Sequence, residues 1–126
     1  YKDRMKFRLA ETYMLLAEAY LRQDMPDKAA DAVNEVRRRA KVSDVSDEEM
    51  TMDFLLDERI RELYGEESRR FTLIRTGKLL ERVRKYNPEA RDLIQDFHVL
   101  WPIPQAIRDA NVGNFPQNPG YEGYEG

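Results

Sequence analysis

Apolar residues recur at helical spacing through most of the chain, with charged residues between them. In the first stretch, residues 6–22, the positions that share one helical face are Leu9, Tyr13, Leu16, Ala17 and Tyr20. A spacing of three and four residues is typical of an amphipathic helix that turns one face toward a core. The pattern therefore predicts a first helix over residues 6–22.

A second helical stripe follows after a short connection, and its members are Ala29, Val33, Val36 and Ala40. Asp24 is expected to cap this helix, with Pro26 in its first turn. Helices joined by so short a connection pack as antiparallel neighbours, so the sequence predicts a hairpin over residues 6–41. Small side chains such as those of Ala17 and Ala29 allow the two helices to approach closely.

A third helical stripe consists of Met52, Leu56, Ile60 and Leu63. Ser46 and Glu49 have the spacing of a capping box and are expected to start this helix. Glu58 and Glu62 stand one turn apart and would repel each other unless arginine side chains oppose them. The arginines that could do so are Arg59 and Arg61 in the same helix, or Arg69, Arg70 and Arg75 after it. Arginine side chains that hold carboxylates between packed helices are usually structural, so we predict no catalytic role here.

Glycine and proline residues mark where the later helices end. Gly65 is expected to end the third helix in the left-handed conformation, and Gly77 to end a short helix that restarts at Arg70. A further helical pattern runs as far as Pro88, which stops it. The sequence thus predicts helices over residues 46–85.

The final part of the chain, residues 97–126, lacks helical periodicity. Bulky residues precede Pro102 and Pro104, and these prolines favour an extended backbone between them. Residues 105–110 are expected to form one or two helical turns. The remainder is rich in Gly, Pro, Asn and Tyr and is expected to be a loop. The predicted fold is all-α, with antiparallel helix pairs and an irregular, extended C-terminal segment.

The first hairpin matches the tetratricopeptide pattern of small and large residues. Its signature positions are occupied by Tyr13, Leu16, Ala17, Tyr20 and Ala29, with tyrosine at the first of them, where tryptophan is usual. The helix pairs are therefore predicted to be tetratricopeptide-like. One repeat cannot bury its own face, because such repeats are stabilised by stacking. A scaffold that binds a protein or peptide is accordingly one function that the sequence allows.

Charge and composition narrow the possible functions. The chain has 126 residues, with 21 Lys and Arg against 24 Asp and Glu, which gives a net charge of -3. Because the two signs are interspersed, the composition argues against nucleic acid as a partner. The basic triplet at residues 37–39 is expected to lie on a solvated last helical turn. A carboxylate-based glycosidase is supported only by the number of acidic residues.

Chemistry that needs cysteine is excluded, because the sequence has none. The only histidine, His98, lies between Phe97 and Val99 and is expected to be an edge residue rather than a metal ligand or a general base. The sequence has no apolar run long enough to span a bilayer and no glycine loop for binding phosphate. We therefore predict no catalytic residue, no metal site and no cofactor.

Side chains of the types that bind sugars occur near the C terminus. A sugar site needs an aromatic platform for the apolar face of the ring, and amide or carboxylate groups for the hydroxyls. The candidates by type are Trp101, Tyr121 and Tyr124, with Gln117 and Asn118 nearby. Trp101 is flanked by apolar residues and is expected to pack in a core. The tyrosines are expected to be more exposed, in a tail that is either a strap or disordered.

The order of motifs resembles the carboxy-terminal part of the SusD/RagB family of glycan-binding outer-membrane lipoproteins. The matching segments are LAETYMLLAEAY (9–20), AADAVNEVRRRA (29–40), DERIREL (57–63), RRFTLIRTGK (69–78), WPIPQ (101–105) and QNPGY (117–121). Six motifs in the same order cover most of the chain. Arg70 stands where the family usually has an aromatic residue, and Ala106 stands where it usually has an acidic one.

The resemblance implies that residues 1–126 form the carboxy-terminal portion of a longer SusD-like protein. Such a protein binds oligosaccharides without catalysis and delivers them to a SusC-like TonB-dependent outer-membrane transporter. It is a surface-exposed lipoprotein of the outer membrane, held there by a lipid anchor that this segment lacks. The ligand contacts of the family come largely from segments outside the six motifs. No ligand-binding residue is therefore assigned, and the ligand site is expected elsewhere.

Overall fold

A computed structural model of the chain describes residues 7–124. The chain divides into two compact units, Tyr1–Ser68 and Arg69–Gly126. In the described part of both units every regular element is a helix, which confirms the predicted all-α fold class. None of the described helices is long and apolar enough to cross a membrane.

The described residues of the first unit form the helices α1 (Leu9–Leu21), α2 (Pro26–Arg39) and α3 (Met52–Glu62). α1 and α2 pack against each other as the predicted hairpin, and α3 packs against α1. An acidic residue in the first turn of α1 and arginines in the last turn of α2 have the charges that favour those helix ends. Residue 6, where the first helix was predicted to begin, lies outside the described residues.

The prediction that Asp24 caps α2 is wrong. The residue before α2 is Met25, and no side chain caps the helix there. Asp24 instead has a left-handed backbone, with φ of 55°. Its N–H donates to Leu21 O (3.2 Å), and the N–H of Met25 donates to Tyr20 O (3.0 Å). Because aspartate tolerates the left-handed conformation, it closes α1 rather than starting α2.

Helix α3 begins later than the sequence predicts. The reciprocal bonds of the capping box are present, since Glu49 N–H donates to Ser46 Oγ (3.3 Å) and Ser46 N–H to Glu49 Oε2 (3.3 Å). They close a separate turn, however, and α3 starts only at Met52. Thr51 caps it, because its hydroxyl accepts the N–H of Phe54 (3.1 Å).

The core of the first unit is built mainly from small and medium side chains. Its buried members are Ala10, Met14, Ala17, Ala29, Ala30, Ala32, Val33, Val36, Val45, Met50, Leu55 and Leu63. Ala17 and Ala29 are fully buried, as predicted. Four other members of the predicted stripes are exposed, namely Leu9, Leu16, Ala40 and Ile60. The buried face of α1 is therefore rotated away from the predicted one, toward Ala10 and Met14.

Replacing Ala17 by leucine is expected to lower the free energy of unfolding by about 1 to 3 kcal/mol, because extra methyl groups at a fully buried site force neighbouring side chains apart. The matched control is Ala19→Leu, at an exposed position of the same helix, where little change is expected. Urea unfolding followed by circular dichroism measures both. Equal midpoints for the two variants would show that the contact between α1 and α2 is not as tight as described.

The described residues of the second unit form α4 (Arg69–Arg75), α5 (Leu79–Tyr86), a 3₁₀ turn (Asp96–Val99) and α6 (Gln105–Asp109). Gly77 ends α4 as predicted, with φ of 71°. The N–H of Gly77 donates to Ile74 O (3.0 Å) and that of Lys78 to Leu73 O (2.8 Å). This pair of bonds is a Schellman motif, which favours glycine at the left-handed position. The helical turns predicted for residues 105–110 are confirmed by α6.

The segment between α5 and α6 differs in part from the prediction of an extended chain. Phe97 and Val99, which were expected to be extended, lie in the 3₁₀ turn. His98 stabilises this turn, because its Nδ1 accepts the N–H of Gln95 (2.8 Å). Leu100 has extended backbone, and the residues from there to Pro104, which precedes α6, form no regular element.

Candidate functional site

Two glutamates of α3 are held by arginine side chains of the first unit. Glu58 Oε2 pairs with Arg37 Nη1 (2.9 Å) and with Arg61 Nη1 (2.6 Å). Arg61 is one of the two local partners that the sequence predicted. Arg37 belongs to the last turn of α2, and its side chain is only 12% exposed. The expectation that the basic triplet is solvated is therefore wrong for Arg37.

Glu62 has a different pair of arginines. Arg8 Nη1 (2.8 Å) and Arg39 Nη2 (2.6 Å) both donate to its Oε1. Arg8 also donates to Glu66 Oε2 through Nε (2.6 Å). Its hydrogen bonds to Glu66 and to Glu62 raise the pKa of Arg8 above its ordinary value. Together these side chains form an arginine–carboxylate cluster made of Arg8, Arg37, Arg39, Glu58, Arg61, Glu62 and Glu66.

The geometry of this cluster suits structural support rather than acid–base chemistry. A glycosidase needs two carboxylates with different environments, so that one can give a proton while the other stays charged. Glu58 and Glu62 each pair with two guanidinium groups. Because their environments are alike, the pair offers no separate acid and base.

Arg37→Met is expected to lower the free energy of unfolding by about 1 to 3 kcal/mol, because Arg37 is the one of the two charged partners of the buried Glu58 that is itself largely buried. Arg38→Met, one residue further along α2, is the matched control. Arg38 is exposed and pairs with Asp44 and Glu35 at the surface, so we expect no resolvable change. Thermal unfolding of the two variants makes the comparison, and an Arg38 variant at least as unstable as the Arg37 variant would contradict it.

Arg59, which the sequence offered as a partner of Glu58 or Glu62, faces another carboxylate. Its side chain is 1% exposed, and its Nε lies 3.3 Å from Glu67 Oε2, which belongs to a side chain that is 5% exposed. Glu11 Oε1 is farther away, at 4.0 Å from Arg59 Nη2. The first unit therefore contains one deeply buried ion pair, between Arg59 and Glu67, in addition to the arginine–carboxylate cluster.

The possible metal ligands of this chain are its carboxylates and its single histidine. Across residues 7–124, no three histidine, cysteine, aspartate or glutamate residues are grouped so that they could hold a metal ion. His98 is half-buried, with its ring 4.2 Å from that of Phe97 and 6.3 Å from that of Tyr121. Its Nδ1 accepts a backbone N–H. These contacts agree with the expectation of an edge residue.

Trp101 is exposed, contrary to the expectation that it packs in a core. Its side chain is 57% exposed. The guanidinium carbon of Arg70 lies over the ring, 4.4 Å from its centroid, and Arg70 Nη2 donates to the carbonyl of His98. Arg70, which stands where the SusD/RagB pattern usually has an aromatic residue, thus makes a cation–π contact with Trp101. The unusual residue type at Arg70 was the sequence signal for this contact. The sequence did not show that the partner of Arg70 would be Trp101.

The other candidate residues contact the backbone around Trp101. Gln117 is buried, and its side chain accepts the N–H of Ile103 (2.7 Å) and donates to the carbonyl of Ile103 (2.9 Å). Asn118 Nδ2 donates to the carbonyl of Trp101 (2.8 Å). Tyr121 Oη donates to the carbonyl of Leu100 (2.9 Å). We call Gln117, Asn118 and Tyr121 the tail clasp. It is the strap that the sequence predicted for Tyr121.

Tyr124 is exposed, as expected, and lies beyond the clasp. Its backbone N–H donates to Tyr121 O (3.2 Å). The structure thus brings Trp101, Gln117, Asn118 and Tyr121 together in the second unit. Only Trp101 among them presents a large exposed ring.

Comparison with known proteins gives consistent matches. The protein-family model described as the SusD family matches residues 2–121. A SusD-like protein P25 of Formosa agariphila is 35% identical over 113 residues, which cover 81% of this chain and 21% of the relative. The starch-binding protein SusD of Bacteroides thetaiotaomicron is 34% identical over 125 residues, which cover 92% of this chain and 21% of the relative.

A third relative, the SusD-like protein P38 of Formosa agariphila, is 32% identical over 108 residues. That match covers 77% of this chain and 20% of the relative. The chain thus spans about a fifth of the length of these curated relatives. No solved structure gives a significant match.

Proposed function

The chain belongs to the SusD family, and on that premise we propose that it takes part in binding oligosaccharides for nutrient uptake without catalysing their cleavage. The observation that carries this proposal is the family match over residues 2–121, together with a relative that is named for starch binding. The second unit adds exposed aromatic side chains of the kind that contact sugars, Trp101 and Tyr124. The arginine–carboxylate cluster adds no acid–base pair that would favour hydrolysis.

The first unit has the fixed packing that suits a binding protein. A sugar site needs side chains that are fixed before the ligand arrives, because ordering them on binding lowers the affinity. Buried alanines lie in the hairpin of α1 and α2, α3 packs against α1, and the arginine–carboxylate cluster links α3 to α2. The first unit is therefore fixed within itself, and in our proposal it contributes no catalytic group.

Isothermal titration calorimetry of the protein against a panel of neutral oligosaccharides tests the proposal. Comparison of malto-, cello- and xylo-oligosaccharides of equal length distinguishes recognition of one type of glycosidic linkage from nonspecific binding. We expect saturable heat with at least one series and none with the corresponding free monosaccharide at the same concentration. Absence of saturable heat with every oligosaccharide would contradict the proposal.

We further propose that the oligosaccharide is passed to a SusC-like TonB-dependent transporter and that the protein is a surface-exposed lipoprotein of the outer membrane. The family membership supports both parts of this proposal. A tagged protein purified from detergent-solubilised outer membranes should bring such a transporter with it. Protease added to intact cells should remove the protein. Recovery of the tagged protein from the soluble fraction alone would overturn this assignment.

A tetratricopeptide-like scaffold that binds a protein or peptide is the second candidate. It is favoured by an open groove of about 360 Å³ on the hairpin, lined by Leu16, Tyr20, Lys28, Asp31, Ala32, Glu35 and Arg38. Under this alternative, Leu16→Glu at the exposed Leu16 abolishes peptide binding. Under the oligosaccharide proposal, the same variant keeps the calorimetric signal of the parent protein.

A further inference from the structure

The first unit ends in an irregular segment, residues 63–68, which lies between the end of α3 and the boundary of the unit. Boundaries between compact units usually fall in exposed, flexible linkers. The middle of this segment, residues 64–66, fits that description because it is exposed. Leu63 and the side chain of Glu67 do not fit it, since they are only 3% and 5% exposed. The segment is therefore buried toward both of its ends.

A tight turn gives the middle of the segment a defined backbone. The N–H groups of Glu66 and Glu67 both donate to the carbonyl of Leu63, at 3.0 Å each. Gly65, which lies within the turn, has φ of 74°, the left-handed conformation that the sequence predicted for it. Two backbone amides at the surface of the unit thus have hydrogen bonds whose opening can be measured.

The far end of the segment is held to α3 by charge. The carboxylate of Glu67 lies 3.3 Å from Nε of Arg59, whose side chain is 1% exposed. Glu11 of α1 is farther away, with its Oε1 4.0 Å from Nη2 of Arg59. If the segment moved away, the guanidinium of Arg59 would stay in the core without its nearest carboxylate. Because an unpaired buried charge is strongly destabilising, detaching this segment costs more than detaching an ordinary surface loop.

The neighbouring carboxylate, that of Glu66, is held at the surface. Its side chain is 42% exposed, and its Oε2 accepts a hydrogen bond from Nε of Arg8 (2.6 Å). Arg8 also donates through Nη2 to the carbonyl of Glu62 (2.7 Å). An ion pair at such a position contributes little to stability, because water can replace either partner. Two adjacent glutamates of the segment thus differ in burial, and only Glu67 neutralises a charge in the core.

We propose that residues 63–68 are a latch, which Glu67 closes on Arg59 and which opens only together with α3. Irregular surface segments usually open by themselves at low free energy. This latch does not, because opening it alone would leave the charge of Arg59 buried without its nearest partner. The last residues before the boundary therefore belong to the folded core of the first unit and are not a flexible linker. The latch is independent of the proposed function.

Native-state hydrogen exchange of the whole chain, followed by NMR, tests the latch. The amides of Glu66 and Glu67 are compared with those of residues 58–60 in the interior of α3. We expect the protection factors of the two sets to agree within about tenfold, because the latch and the helix open in the same event. Protection at Glu66 and Glu67 that is more than about tenfold lower would show a segment that opens by itself, and this would overturn the inference.

Two variants show whether charge closes the latch. Glu67→Gln keeps the size of the side chain but removes its charge, and we expect it to lower protection at residues 66 and 67 at least about tenfold relative to residues 58–60. Glu66→Gln makes the same change at the exposed neighbour and should lower this ratio less than about threefold. A smaller fall in Glu67→Gln, or an equal fall in Glu66→Gln, would contradict the latch. If Glu67→Gln does not fold, the exchange of the parent protein decides alone.

Discussion

Replacing Arg59 by methionine is expected to lower the free energy of unfolding by about 3 to 5 kcal/mol, the largest loss that we expect from a charged residue of this chain. The Arg59 side chain is 1% exposed and faces Glu67, whose side chain is 5% exposed. Methionine fills much of the same volume but removes the positive charge from a site where water cannot replace it. A loss of this size is a large part of the stability of a small domain.

Denaturant unfolding of Arg59→Met beside Arg61→Met tests this expectation. Arg61 lies in the same helix, but its side chain is 60% exposed, so its loss is expected to cost at most about 1 kcal/mol. The double variant Arg59→Met, Glu67→Met should recover much of the loss, because it removes both buried charges at once. If the double variant is less stable than Arg59→Met, the two side chains do not act as a buried pair.

Leu55→Ala is expected to lower the free energy of unfolding by about 2 to 5 kcal/mol, because it leaves a cavity at a position with no exposed surface. Ile60→Ala in the same helix is its control. The sequence pattern placed Ile60 in the buried stripe, whereas the structure leaves it 46% exposed. The structure therefore predicts a change of at most about 1 kcal/mol for Ile60→Ala.

Far-UV circular dichroism in urea compares the two variants on the same helix. A larger loss for Ile60→Ala than for Leu55→Ala would show that the periodicity of the sequence, and not the described burial, identifies the core face of α3. The same comparison decides which side of α3 packs against α1.

Helix positions were the most predictable feature, because local residues determine them. Gly77 ends α4 through a left-handed turn, a conformation that glycine adopts without steric cost. The short connection after α1 makes the hairpin with α2 almost unavoidable. These signals depend only on neighbouring residues, so the order of helices could be predicted from the sequence.

The rotation of the core face was less predictable. Periodicity gives most weight to large apolar residues, and it placed Leu9 and Leu16 inside. The hairpin is so closely packed that alanines fill the contact, and Glu18 is buried on the same face of α1, with Arg22 pairing with it at 3.1 Å. Because Glu18 is charged, the sequence pattern placed it on the exposed side of the helix. Its ion pair with Arg22, one turn further along, allows it to be buried.

The candidate site was predicted by residue type but not by arrangement. Trp101 was expected inside because its neighbours are apolar, yet the tail clasp takes up the backbone polar groups of the segment and leaves Trp101 and Leu100 exposed. The partners that make this arrangement lie 14 to 21 residues further along the chain. No local pattern specifies such contacts. Gln117 is buried for the same reason.

The proposed function is that this SusD-family chain takes part in binding an oligosaccharide and leaves it intact. Saturation-transfer difference NMR tests both binding and the absence of cleavage in one sample. The sample contains the protein and the oligosaccharide that gives calorimetric heat. We expect transfer of saturation to ring protons of the sugar, with its anomeric signals unchanged over a long incubation. New reducing-end anomeric signals, or no transfer to any oligosaccharide, would contradict it.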